Sequence, residues 1–257
     1  MTQGEMKMEY DIISQPFKLR KKDGTLISGR VFRPDDDSSN FPAVIFSHGF
    51  GSNYRELMHH GSGFANNGII CIFFDFCGGG PDSESDKDML DMTLETEADD
   101  LIHVINHAIL MPYVDTKSLY LIGESMGGLV SAMVARRLRS MIKGLILWYP
   151  AFVIVDDAKK RLKQGITEVM GVRISKDFDP VALSLDINDI QSGYLKPVLI
   201  IHGDKDKIVP IKYSEMAKNT YPDAKLITVL DAGHGFDGDD SDMARNESIA
   251  FILRNEG

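Results

Sequence analysis

Cysteine is scarce: the 257 residues hold two, Cys71 and Cys77, in or beside one expected strand. Two cysteines cannot build a disulfide framework or a thiolate zinc site, and their apolar surroundings read as those of free buried thiols. Long apolar runs are missing as well; nothing approaches the ~20 residues needed to cross a bilayer. The N-terminal stretch MTQGEMKMEYDIIS has no apolar core and no cleavage-like site, so it does not read as a secretory signal. Together with the low cysteine count this points to the cytoplasm. Positive charge is also in deficit. Lys and Arg number 28 against 38 Asp and Glu, a net charge of −10. That balance excludes the basic footprint of nucleic-acid binding and offers no attraction to an anionic membrane. The expected partner is a small neutral or apolar molecule, with no nucleic acid and no membrane. Whether two copies form a homodimer stays open.

Several other signatures are absent. No repeat of 20–50 residues and no low-complexity segment occurs. Gly78-Gly79-Gly80 follows a strand but lacks both the phosphate-loop lysine and the dinucleotide glycine spacing. The acidic run Asp237–Asp242 lacks the calcium-loop spacing and reads as a solvated loop capping the last helix. His59 and His60 are neighbours on an expected helix, hence on different faces. His103 and His107 stand at i and i+4 but have no third ligand. No metal and no organic cofactor is implied.

What is present is a regular alternation. Hydrophobic residues make up 43% and charged residues 26%, ordinary for a soluble globular chain. Ile12–Leu19 and Leu26–Phe32 read as strands joined by a turn at Lys22-Asp23-Gly24. Short, wholly apolar strands are expected at Ala43–Ser47, Ile69–Phe76, Ser118–Gly123, Gly144–Trp148 and Val198–His202, with a further strand at Lys225–Leu230. Helices are expected between and after them at Arg55–Asn66, Leu94–Leu110, Met126–Leu138, Ile211–Thr220 and Ser241–Arg254. Apolar strands alternating with helices mean a mostly parallel sheet covered on both faces. The pattern predicts one α/β domain over residues 1–257, interrupted by a cap insertion at about 151–194. Within the cap, residues 154–171 read as one helix and the rest as loops with short helices. Its apolar side chains, among them Phe152, Val153, Ile154, Met170 and Phe178, are expected partly to line a pocket above the catalytic serine.

The strongest chemical signal is Gly123-Glu124-Ser125-Met126-Gly127-Gly128. It follows an apolar strand directly and opens a helix, the context of a nucleophile elbow. The tight turn strains the central residue and demands small residues two before and two after it; both are glycine. A serine nucleophile needs a base, and the base needs an orienting acid. After Val198–His202 two aspartates compete, Asp204 and Asp206. Asp206 lies deeper in the loop and is chosen as the acid; Asp204 is expected to shape the turn. The base is His234, between Gly233 and Gly235 after the last strand. His202 ends an apolar strand and reads as a core or turn residue. The oxyanion donors are the backbone N–H groups of Met126 and of Phe50, the latter in the loop Ser47–Ser52.

With His48-Gly49-Phe50, Phe74-Asp75-Phe76 with Ser83, GESMGG, IHGDKDKIVP and DAGHGF in place, the chain resembles the α/β-hydrolases from about Ile12 to Arg254. More narrowly it resembles the bacterial cinnamoyl and feruloyl esterases and their relatives among the serine-aminopeptidase-like hydrolases. Cys77-Gly78-Gly79-Gly80 stands where that family usually shows Gly-His-Gly. The resemblance implies a serine esterase acting through an acyl-enzyme on small esters with medium acyl or aromatic groups, and a cap that shapes the acyl and alcohol pockets. A thioesterase or a small-peptide aminopeptidase would use the same triad. The aminopeptidase would need carboxylates near the site, for which Asp156, Asp157 and Glu168 are the candidates. A non-catalytic binding protein of the same fold is the reading from another class.

Overall fold

The computed structural model describes residues 10–38 and 40–256; most of the N-terminal stretch read for a signal lies outside them. In chain order the elements are β1 (Ile12–Arg20), β2 (Leu26–Pro34), β3 (Phe41–Ser47), α1 (Tyr54–Leu57), α2 (Gly61–Ala65), β4 (Ile70–Phe74), α3 (Leu94–Ala108), β5 (Val114–Glu124), α4 (Ser125–Arg137) and β6 (Ile142–Trp148). There follow α5 (Ile154–Gln164), β7 (Glu168–Val169), β8 (Val172–Arg173), α6 (Phe178–Leu183), α7 (Ile187–Ser192), β9 (Val198–Gly203), α8 (Lys212–Thr220), β10 (Ala224–Val229) and α9 (Gly238–Glu256). Eight strands form one sheet in the order β1-β2-β4-β3-β5-β6-β9-β10. β2 runs antiparallel to both its neighbours, and the remaining pairs are parallel.

The period of two along each strand builds a core on both faces. Ala43 and Ile45 of β3, Leu119 and Leu121 of β5, Leu145 and Leu147 of β6, and Val198 and Ile200 of β9 join one apolar cluster with α3 and α4. Their alternates, Val44, Phe46, Tyr120, Ile122, Ile146, Trp148, Leu199 and Ile201, join the other with α1, α2 and α9. Each such side chain removed from water contributes ~1.5–3 kcal/mol, which is why these short strands carry no polar face. Helix α4 is buried from Met126 to Ala135, and its glycines and alanines are what allow it so close to the sheet.

Three sequence-based expectations need correction. The helix expected at Arg55–Asn66 is broken into α1, a 3-10 turn at Met58–His60, and α2. Gly61 and Gly63 favour the break, and a Cβ at either would strike Phe32 or Arg245. As a result the His59 and His60 rings do not diverge but lie 3.9 Å apart. The helix expected over residues 154–171 stops at Gln164, where Gly165 takes the left-handed conformation at φ 65° and caps it. The chain then folds as a small hairpin, β7 pairing β8 through Met170 and Gly171 at positive φ. Third, several of the cap's apolar residues enter the core: Phe152, Val153, Ile154 and Phe178 are buried in the same cluster as the inner faces of α3 and α4, while Leu162, Ile166 and Met170 stay exposed. An ion pair of 2.6 Å between Arg161 and Asp179 ties α5 to α6. Among the described residues no helix is long and apolar enough to cross a membrane.

Candidate active site

Strand β5 delivers Ser125 at its carboxyl end, in the strained turn that opens α4. Its φ is +49°, a left-handed value that L residues rarely adopt. The two flanking glycines are obligatory in space as well as in backbone. A Cβ at Gly127 would run into the carbonyl oxygens of Ser47 and His48, and one at Gly123 into the carbonyl of Gly127. The turn is therefore wedged against the end of β3, which places the loop Ser47–Ser52 directly over the serine. A Cβ on Gly49 would stand 3.4 Å from that of Ser125. Of the two residues whose N–H groups the sequence nominated as oxyanion donors, Phe50 lines the same cavity as Ser125, and Met126 follows the serine in the first turn of α4. The amino end of α4 adds its partial positive charge there.

Strands β9 and β10 bring the other two residues. The Ser125 hydroxyl donates to His234 Nε2 at 3.0 Å, and His234 Nδ1–H donates to Asp206 Oδ2 at 2.7 Å. A carboxylate only accepts, so Asp206 selects the tautomer that leaves Nε2 free to take the serine proton. Asp206 Oδ1 accepts from the backbone N–H groups of Ile208 and Val209 at 2.9 and 2.8 Å. Its side chain is fully buried, and burial alone would raise its pKa. The donated hydrogen bonds from His202, His234 and Val209 outweigh burial and hold the carboxyl well below the usual carboxylate range.

The structure brings together Ser125, Asp206, His234, Phe50 and Met126 and leaves Asp204 apart. Asp204 Oδ1 accepts the N–H of Asp231 at 2.7 Å, pinning the start of the loop that carries His234. Three contributors escaped the sequence reading. His202 is more than a packed strand end: its Nε2 faces Asp206 Oδ2 at 3.1 Å and the Val209 carbonyl at 2.9 Å, while Nδ1 meets the Ser214 hydroxyl at 2.7 Å. Glu124, between the elbow's glycine and serine, accepts from Gly49 N–H at 3.1 Å and from the Tyr149 hydroxyl at 2.7 Å. Tyr149 also sets its ring edge against His234, centroids 4.9 Å apart. Burial, then Glu124, push the Tyr149 phenol far up, so it stays a donor. Glu124 occupies an x of the motif, where no residue type is demanded, so no local signal exposed it. The glycine run 78–80 also finds a use. Gly79 accepts from Gly51 N–H at 2.9 Å, and a Cβ at Gly80 would strike the Ser52 carbonyl, so this run braces the β3 loop from behind.

A cavity of about 320 Å³ opens at Ser125 and His234. Among the described residues Met170 is the cap's contribution to its wall, so the expectation of a pocket lined by the cap's apolar face is corrected: Phe152, Val153, Ile154 and Phe178 pack in the core, and Leu162 and Ile166 are exposed away from the cavity lining. Asp156, Asp157 and Glu168 do not line it. Asp156 accepts from the Tyr213 hydroxyl at 2.8 Å, and Asp157 pairs with Lys160 at 3.0 Å.

The comparisons agree with this architecture. The model of the serine aminopeptidase S33 hydrolases matches residues 38–177. A Mycoplasma pneumoniae protein named as an esterase/lipase is 25% identical, over 79% of this chain and 85% of that one. The structure of Est1E from Butyrivibrio proteoclasticus with ferulic acid bound superposes with a TM-score of 0.82 at 24% identity, covering 93% of this chain and 98% of that one. DcsB in complex with its substrate analogue gives 0.78 at 20% identity, covering 95% of this chain and all of that one. The chain belongs to the serine aminopeptidase S33 family of hydrolases and carries the α/β-hydrolase fold.

Proposed function

We propose that this protein is a serine carboxylic-ester hydrolase working through an acyl-enzyme. The observation that carries the reading is the unbroken relay from the Ser125 hydroxyl to His234 to the buried Asp206. Ser125 Oγ attacks the ester carbonyl carbon as its proton passes to His234 Nε2. The carbonyl oxygen becomes an oxyanion between the N–H groups of Phe50 and Met126. His234 returns the proton to the departing alcohol, and the Ser125 ester remains. A water molecule, deprotonated by the same nitrogen, then releases the acid. Asp206 stays ionised throughout and steadies the imidazolium.

Small esters with a medium acyl or an aromatic group suit a cavity at the lower end of the ~300–1,000 Å³ range of ligand pockets. The likeness to an esterase/lipase, and to a fold that binds ferulic acid in Est1E, supports the same class. An aminopeptidase reading is weaker, because none of the cap carboxylates nominated to hold an ammonium, Asp156, Asp157 and Glu168, lines the cavity. Turnover of p-nitrophenyl butyrate, a butyryl thioester and an aminoacyl amide by one purified sample separates the three chemistries. With Ser125→Ala, ester turnover should fall ~10⁶-fold and a fluorophosphonate probe should no longer label the protein. Retention of activity within tenfold of wild type overturns the assignment.

A further inference from the structure

The wall of the cavity at Ser125 and His234 also includes Glu56, His59, His60 and Ser241. This follows from the broken helix: the 3-10 turn at Met58–His60 swings both histidine rings to one place, 3.9 Å apart, beside the first turn of α9. His59 Nε2 meets the Ser241 hydroxyl at 3.3 Å, and its Nδ1 is held by the Glu56 carbonyl at 2.8 Å. His60 is 2% exposed, packs edge-on to Trp148 with centroids 5.0 Å apart, and has an Nδ1 without a hydrogen-bond partner among the described residues. It brings an imidazole with spare hydrogen-bonding capacity to the wall of the cavity that holds the nucleophile.

We propose that this His59–His60 end is the binding site for the alcohol portion of the ester and that it takes a compact, uncharged polyol. The inference rests on the esterase reading. The side of the cavity identifies the alcohol. His234 must protonate the leaving oxygen, and the residues that continue the chain from it, Gly235 and Phe236, line the same cavity as His59 and His60. The chemistry of the end identifies the polyol. Imidazoles and the Ser241 hydroxyl both donate and accept, as alcohol hydroxyls do. Glu56 disfavours an anion. Burial, then His59 and Arg245, push the His60 pKa down to about 3, so its ring is neutral and suited to a hydroxyl rather than to a charged partner.

By microscopic reversibility a site for the leaving alcohol is also a site for an accepting one. In that direction the acceptor oxygen bonds to the acyl carbon as the Ser125 ester bond breaks. His234 takes the acceptor's proton and passes it to Ser125. The test therefore uses wild-type protein, p-nitrophenyl butyrate as acyl donor, and glycerol, ethanol or choline as acceptor. Glycerol should capture the butyryl group roughly tenfold better per mole than either of the others. In His60→Phe, and in His59→Ala whose exposed ring is dispensable to packing, that preference should shrink roughly three- to tenfold, as expected for one hydrogen bond lost. Equal capture of glycerol and ethanol, better capture of choline, or an undiminished preference in both variants overturns the polyol site. Absence of any Ser125-dependent p-nitrophenol release would instead overturn the esterase reading on which it rests.

Discussion

His202 Nε2 lies 3.1 Å from Asp206 Oδ2, the same oxygen that receives His234 Nδ1–H at 2.7 Å. Because Nε2 also faces the Val209 carbonyl, both its neighbours are acceptors and Nε2 carries the proton; the Ser214 hydroxyl then donates to Nδ1. His202 is thus a positioning residue that fixes one carboxylate oxygen from beneath while His234 approaches from above. His202→Leu should lower kcat roughly tenfold and cost about 1–3 kcal/mol in urea unfolding, the range for a buried acceptor stripped of a donor. His202→Gln, which can still donate, should recover much of the rate. If leucine and glutamine variants have equal kcat, the positioning role is wrong.

The two loop aspartates should separate cleanly. Asp206 accepts from His202, His234, Ile208 and Val209, so an amide there sets a donor against a donor or forces the wrong imidazole tautomer. Asp206→Asn should cost ~10⁴ in kcat, by analogy with other triads. Asp204 accepts the Asp231 N–H with Oδ1, and an asparagine oxygen does the same, so Asp204→Asn should stay within about threefold, by the modest net worth of one such bond. The opposite ranking in kcat would reverse the assignment.

Glu97 bears on stability against pH. It sits on α3 with no exposed surface, and neither carboxyl oxygen has a hydrogen-bond partner among the described residues. Burial, then the nearby Asp100, raise its pKa well above the ordinary value. The folded state therefore holds a proton that the unfolded chain releases near pH ~4.3, so stability is lost as pH rises from there towards the folded pKa. Glu97→Gln should raise the melting temperature at pH 7 and leave it nearly unchanged at pH 4. Equal shifts at both pH values would refute the titration. Asp206 works in the opposite sense: its lowered pKa contributes stability above pH ~3.9 that disappears on acidification.

The cap carries structure before specificity. Phe178 is 2% exposed and packs in the core with Ile154 and Ala182. Phe178→Ala should cost ~3–5 kcal/mol, read by chemical denaturation, while Met170→Ala, 72% exposed at the cavity mouth, should leave stability unchanged and alter KM. A stable Phe178→Ala protein with a raised KM would restore the view of the cap as a lining for the substrate.

The order of strands and helices and the strand-to-helix turn at Ser125 could be read from residue types because both depend on local physics. A strand buried on two faces must be apolar along its length, as Ala43–Phe46 and Val198–Ile201 are. A strand-to-helix turn around Ser125 must have glycine two positions to each side, because a Cβ there meets backbone. Partnerships across elements were decided by the fold alone. Whether a histidine on β9 packs or orients an aspartate, and whether Glu124 clamps a loop 75 residues away, depend on which groups the sheet order brings within hydrogen-bonding distance, 3.1 Å in both cases. No spacing along the chain encodes that. Local signals also lost where tertiary packing opposed them. Gly61, Gly63 and Gly165 sat in sequences that otherwise read as continuous helix, and close approach or a left-handed backbone decided each. The break at Met58–His60 that followed is what turned two adjacent histidines into one end of the cavity.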